Sequence, residues 1–202
     1  MKKYPQLIAA FTLLFSACKK DETTTPATTT PTTTGIKTGT VWTYKHTDYD
    51  GQTGTTVVST SQYTLTIVRD STINNEKWFI MEKKEGSNSV YDLIKFTADG
   101  VYNLKGTQTQ MALKFKAAVN DSWVDRNDQT CKVISLNQSV TVQAGTFTNA
   151  YYMESNDANS LEDKIWYNEK ETLLKHQEYD ESPTQPGVMI VDYMDELVSY
   201  KE

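Results

Sequence analysis

Two histidines and two cysteines are the whole stock of imidazole and thiol in this 202-residue chain, so metal or nucleophilic chemistry must be assembled from few parts. One histidine opens the run His46-Thr47-Asp48-Tyr49-Asp50-Gly51, where oxygen ligands alternate before a turning glycine, as at the start of a calcium loop. Such a loop needs a glutamate eleven residues after its first ligand, and Val57 stands there. Imidazole is also a poor calcium ligand, so the run is expected to be a hairpin turn with polar, outward residues. Cys131 and His176 could act as nucleophile and base, but no glycine turn beside the thiol offers oxyanion donors. Cys131-Lys132-Val133-Ile134 reads as a strand, in which a lone thiol behaves as a small buried hydrophobe. Glu162-Asp163 and Glu178-Tyr179-Asp180-Glu181 hold carboxylates of the kind a glycosidase uses, and on an acidic chain they are expected to form a solvated rim. No catalytic residue, metal ligand or cofactor is assigned.

The aromatic residues carry the binding signal. Twelve tyrosines and four tryptophans supply faces that stack on sugars or line apolar pockets, although in a β domain most occupy core or cross-strand positions. Should a groove exist, Trp166, Tyr167, Tyr151 and Tyr152 are the first candidates for ligand contact. Charge excludes one class of partner. With 20 Lys and Arg against 26 Asp and Glu the net charge is −6, and no basic surface for binding nucleic acid by counterion release is evident.

The elements that must position these residues are strands. Between 35 and 202 the dominant period is two: Tyr63, Leu65 and Ile67 alternate with Thr64 and Thr66, and Val140 and Val142 with Thr141 and Gln143. Turn signals punctuate the runs at Asp50-Gly51, Asn74-Asn75, Gly86-Ser87-Asn88, Asp99-Gly100, Asn120-Asp121, Ala144-Gly145, Asn156-Asp157 and Pro186-Gly187. Residues 111–119 suit a strand better than a helix, because Leu113 and Phe115 sit two apart between lysines. The expected fold is all-β: a curled antiparallel sheet or half-barrel whose interior is filled by rings such as Trp42 and Trp78, with a β-sandwich as the alternative.

The N-terminus reads as an address. Lys2 and Lys3 precede an apolar run from Leu7 to Phe15, about half the length that a bilayer-spanning helix requires, roughly 20 residues. Phe15-Ser16-Ala17-Cys18 resembles a bacterial lipobox, with Phe15 where that family more often has Leu. The resemblance implies that 1–17 is a signal peptide and that Cys18 is acylated, which fixes the protein to a membrane through its acyl chains. Lys20-Asp21-Glu22 resembles the export signal that sends Bacteroidota lipoproteins to the outer face of the outer membrane; the periplasmic face is the alternative. Residues 18–34 are expected to form a disordered tether behind the acylated cysteine: its Thr- and Pro-rich run from Thr23 to Thr34 cannot bury enough surface to fold and reaches roughly 40 Å at about 3.1 Å per residue. Within the domain, Asp70-Ser71-Thr72 resembles the Bacteroidota O-glycosylation acceptor, with Ser71 as the modified residue.

Scattered segments of the domain resemble uncharacterised Bacteroidota lipoproteins: Gly39 to Tyr44, the stretch from Leu113 to Trp123, Val140 to Phe147, and Ile165-Trp166-Tyr167 with Leu173-Leu174-Lys175. Asn120 stands where those proteins commonly have Gly, and Gln143 where they commonly have Pro. The resemblance implies an open antiparallel sheet like that of lipoprotein carriers, and no assigned activity. The expected function is thus a non-enzymatic, lipid-anchored envelope protein that holds an apolar ligand or lipid on a concave sheet, in a cavity without converging ionisable groups. A surface module that binds glycan or protein is the alternative, and an enzyme ranks last.

Overall fold

The computed structural model describes residues 35–157 and 160–202. The expected signal peptide, Cys18, the Lys20-Asp21-Glu22 signal and the 18–34 tether lie outside the described residues. Twelve strands follow in chain order: β1 (Val41–Tyr49), β2 (Val57–Ile73), β3 (Glu76–Glu85), β4 (Asn88–Thr97), β5 (Gly100–Lys105) and β6 (Gln108–Lys114), then β7 (Ser122–Val124), β8 (Thr130–Val142), β9 (Gly145–Asp157), β10 (Ser160–Asn168), β11 (Thr172–Glu181) and β12 (Met189–Lys201). The described residues contain no helix.

All twelve strands form one antiparallel sheet in the order β6-β5-β4-β3-β2-β1-β12-β11-β10-β9-β8-β7. Around a circle, that order is the chain order. The sheet is therefore an up-and-down meander that curls into a nearly closed barrel, with β1 and β12 paired and a seam between β6 and β7. Ion pairs span the seam: Lys114 to Asp121 at 2.7 Å, Lys105 to Asp128 at 2.7 Å and Arg126 to Asp92 at 3.3 Å.

Turn chemistry sets the register. Asn74 and Asn75 both take positive φ, 52° and 63°, which gives the β2–β3 hairpin a turn twisted like its strands. Gly86 (φ 57°) does the same for β3–β4. At Gly100 a Cβ would lie 2.1 Å from the carbonyl oxygen of Leu113, so only glycine lets β6 approach β5 this closely. The β8–β9 hairpin reverses after Val142, as the Ala144-Gly145 signal requires, and the Ala144 amide donates to Leu197 O at 2.9 Å, tying the hairpin tip to β12.

Strand direction alternates, so every inward series can be read along one axis. It starts apolar and ends polar on each: Trp42, Tyr44, His46 on β1; Phe96, Ile94, Asp92 on β4; Leu197, Asp195, Tyr193 on β12; Leu174, His176, Glu178 on β11; Tyr167, Ile165, Asp163 on β10. The apolar end is packed. Trp42, 1% exposed, stacks on Phe96 and donates from Nε1 to Glu171 O at 2.8 Å, while the Tyr44 hydroxyl donates to Leu173 O at 2.9 Å. Tyr167 donates its hydroxyl to Lys114 O at 2.7 Å, fastening β10 to the seam. Chain entry is at this same end, where Gly35 lies against Glu202.

Candidate functional site

The barrel encloses a cavity of about 460 Å³, lined from every strand except β7 and by the β7–β8 turn. Trp42, Leu65, Ile94, Phe96, Val101, Leu113 and Met153 line its apolar part. Asp92, Asn103, Asp125, Arg126, Gln129, Glu162, Asp163, His176, Glu178 and Tyr193 line the rest. Ionisable groups thus converge here, in contrast to the wholly apolar cavity expected from sequence.

Cross-strand pairing builds that polar part. His46 faces Asp195, Asp195 faces His176, and Asp163 faces Glu178. An acid–base chain follows from this register. Asp48 Oδ1 lies 2.9 Å from His46 Nε2, His46 Nδ1 2.7 Å from Asp195 Oδ1, His176 Nδ1 3.9 Å from Asp195 Oδ2, and His176 Nε2 2.6 Å from Asp163 Oδ1. The chain's two histidines therefore bracket one buried carboxylate, with the Tyr193 ring 4.9 Å from one imidazole and 5.4 Å from the other. Burial opposes charge on His176, but the hydrogen bond to Asp163 and the nearby Asp195 carboxylate outweigh it and push its pKa up to about 9. Burial opposes charge on Asp195 too, and the two imidazoles hold it below the usual carboxylate range. His46 is likewise raised, its contacts with Asp195 and Asp48 overcoming desolvation.

The run that resembled a calcium loop divides differently from its reading as a turn. His46 and Asp48 belong to β1, where Ser59 donates its hydroxyl to Asp48 and His46 points into the acid–base chain. Only Asp50 serves the turn. It accepts from the backbone of Gln52, Thr53 and Thr56 and from the Thr53 hydroxyl, and these bonds, the Thr53 hydroxyl first, hold its pKa far below the usual range. Its carboxylate is satisfied by its own loop.

Cys131, His176 and Asp163 all line the cavity, yet the electrostatics oppose nucleophilic chemistry. Burial, then the negative charge of Asp125, pushes the Cys131 thiol up to about 12. His176 is already protonated at neutral pH and faces a carboxylate from each ring nitrogen. Both shifts run against a nucleophile and base pair. The acidic clusters split as well: Glu162, Asp163 and Glu178 turn into the cavity, while Asp180 and Glu181 are exposed. Burial, then repulsion from Asp157, Asp163, Asp180 and Glu178, raises Glu162.

The four aromatic candidates form two stacked pairs, on opposite faces of β9 and β10. Tyr151 stacks on Tyr167 with centroids 5.0 Å apart, and Tyr167 is fully buried. Tyr152 stacks on Trp166 at 4.9 Å, and Lys175 sits 5.5 Å from the Trp166 ring. None of the four lines the cavity. Ser71 lies half-buried in β2 opposite Trp78.

No protein family model matches the chain, and no curated protein matches it. Two solved structures are similar. One is a Bacteroides fragilis protein inferred to be exported, with a YmcC-like fold: TM-score 0.49, 9% identity, covering 82% of this chain and 97% of that one. The other is a Parabacteroides distasonis protein inferred to be a lipoprotein: TM-score 0.47, 14% identity, 82% and 96% coverage.

The sequence reading missed His46 and Asp195 as a pair. They are 149 residues apart and meet only because β1 and β12 join the two halves of the meander. A local signal did exist in the alternation Trp42, Tyr44, His46, Asp48, which continues an inward series without interruption.

Proposed function

We propose that the chain is a non-enzymatic, lipid-anchored envelope protein whose barrel holds a small amphiphile, apolar body inward and polar head at the acidic end. One observation carries the ligand half: an interior cavity of about 460 Å³ that is apolar at one end and carboxylate-rich at the other. Its size falls in the usual range for small-molecule sites, about 300–1,000 Å³. Five carboxylates line it, Asp92, Asp125, Glu162, Asp163 and Glu178, against Arg126 and the His176 imidazolium, so the favoured head is a cation or a hydrogen-bond donor. Support for the anchor comes from the N-terminal sequence, with acylation at Cys18 and display on the outer membrane, facing outward, directed by Lys20, Asp21 and Glu22.

The non-enzymatic reading draws support from burial, which pushes the Cys131 thiol up to about 12, and from the carboxylates that raise His176 to about 9. The glycan-binding alternative is less favoured at Trp166, whose ring stacks on Tyr152 and lies beside Lys175, its partners on the two neighbouring strands. Native mass spectrometry of the detergent-extracted full chain, alone and with added dodecylamine, tests the ligand. A bound amphiphile is expected, and a bare protein mass under both conditions would overturn this half. Palmitate labelling that vanishes in Cys18→Ser tests the anchor, and protease accessibility on intact cells tests outward display.

A further inference from the structure

Two β-bulges interrupt the barrel wall beside the acidic end of the cavity. In one, Glu162 is the extra residue of β10 between Leu161 and Asp163; in the other, the β11–β12 register shifts between Glu178 and Tyr179. Bulges re-aim side chains and concentrate near functional sites. Between them, Asp163 and Glu178 are direct cross-strand partners, with His176 on the same face one inward position along β11. One ligand atom from each of Asp163, His176 and Glu178 lies within 4.8 Å of the others. Imidazole and carboxylate ligands hold zinc at about 2.0–2.2 Å, so ligand atoms this near to one another are within the span of one ion's coordination sphere.

The surroundings are those of a ligand set and not of a loose acidic patch. Behind His176 stands Asp195, 5% exposed, with one oxygen 3.9 Å from His176 Nδ1 and the other held by His46. A carboxylate behind a ligating imidazole fixes its ring and tautomer in metal sites. Tyr193 is the cross-strand partner of Glu178 and stands beside the second carboxylate. All three residues line the cavity.

We infer that Asp163, His176 and Glu178 bind one divalent transition-metal ion, with Zn²⁺ the cation that one imidazole and two carboxylates suit best. Calcium and magnesium prefer all-oxygen sets, and the imidazole selects against them. Binding replaces the proton between His176 Nε2 and Asp163, and leaves an open coordination position facing the cavity.

The test uses the full chain, stripped with chelator and titrated with ZnCl₂ by calorimetry, with Co²⁺ visible absorption reporting an imidazole-containing, low-symmetry site. One saturable Zn²⁺ per chain is expected. Glu178→Gln and His176→Gln should each weaken it at least about tenfold, Asp195→Asn about 10- to 100-fold, and exposed Asp192→Asn not at all. If His176→Gln does not fold by circular dichroism, Glu178→Gln, nearly isosteric, decides alone. No saturable uptake by the wild type, or equal affinity in Glu178→Gln, would overturn the site. The inference is independent of the amphiphile: dodecylamine binding without zinc uptake sinks the metal site and leaves the ligand reading standing.

Discussion

At the scale of single residues the interior is controlled by burial and by carboxylates. Cys131, 1% exposed, is the clearest case, because desolvation, then the charges of Asp125 and Asp163, act against its thiolate. A thiol at about 12 holds roughly 10⁻⁴ of its population as thiolate at pH 8, where an ordinary thiol near 8.5 holds about a quarter. In the full chain carrying Cys18→Ser, so that Cys131 is the single thiol, iodoacetamide labelling at pH 8 is expected to be at least about a thousandfold slower in buffer than in urea. Rapid labelling of the folded chain would instead mark an activated nucleophile and reopen the enzymatic reading. The same logic explains why residue types alone misplaced the chemistry. His46 and Asp48 were legible as an alternating pair, but whether they faced solvent or interior depended on a partner, Asp195, that sequence spacing does not reveal.

At the scale of elements, the strands and most of their turns were legible. The Tyr63, Leu65, Ile67 series does face the core, and Asn74-Asn75 does form a hairpin turn, because both signals are local: a period of two and a backbone preference. Asn75 still pays a conformational cost at φ 63° that glycine avoids. Asn75→Gly should raise stability by roughly 0.5 kcal/mol, and β-branched Asn75→Val should lower it by about 1 kcal/mol or more, read from urea midpoints. The seam was not legible, since it depends on where the meander closes. There Asp121 accepts from the Ala118 amide and pairs with Lys114, and the Lys114 bond first, then the amide, holds its carboxyl below the ordinary value, with the Tyr167 phenol the other titratable group nearby. A lowered folded-state pKa gives stability that is present above the unfolded-state value, about 3.9, and is lost as pH falls through the folded value. Asp121→Asn is therefore expected to be less stable than wild type at pH 7, and the difference should fade as pH falls through the lowered pKa and the wild-type carboxyl becomes neutral. A difference that persists unchanged in acid would show that the carboxylate's charge is not what fastens the seam.

At the scale of the whole molecule, closure of the meander turns twelve alternating strands into one field. Each strand contributes its polar inward residues at the same end, because antiparallel neighbours carry opposite sequence gradients: Phe96 to Asp92 runs backward along β4, while Leu174 to Glu178 runs forward along β11. Gly35, the first described residue, lies against Glu202 at the opposite, packed end. Such a field discriminates by head-group charge and not by chain length. Dodecylamine and dodecanoate share the same apolar body, so their difference in affinity isolates the mouth. At low ionic strength the amine should bind at least about tenfold tighter, since five lining carboxylates exceed two lining cations. Partial exposure of the mouth lets salt screen this preference, and the ratio should shrink toward unity as the Debye length falls from about 10 Å at 0.1 M to about 3 Å at 1 M. Fluorescence of Trp42, which lines the apolar end, reads both titrations from the same site. Tighter binding of dodecanoate would mean that Arg126 and the His176 imidazolium, not the carboxylates around them, set the potential that a ligand meets.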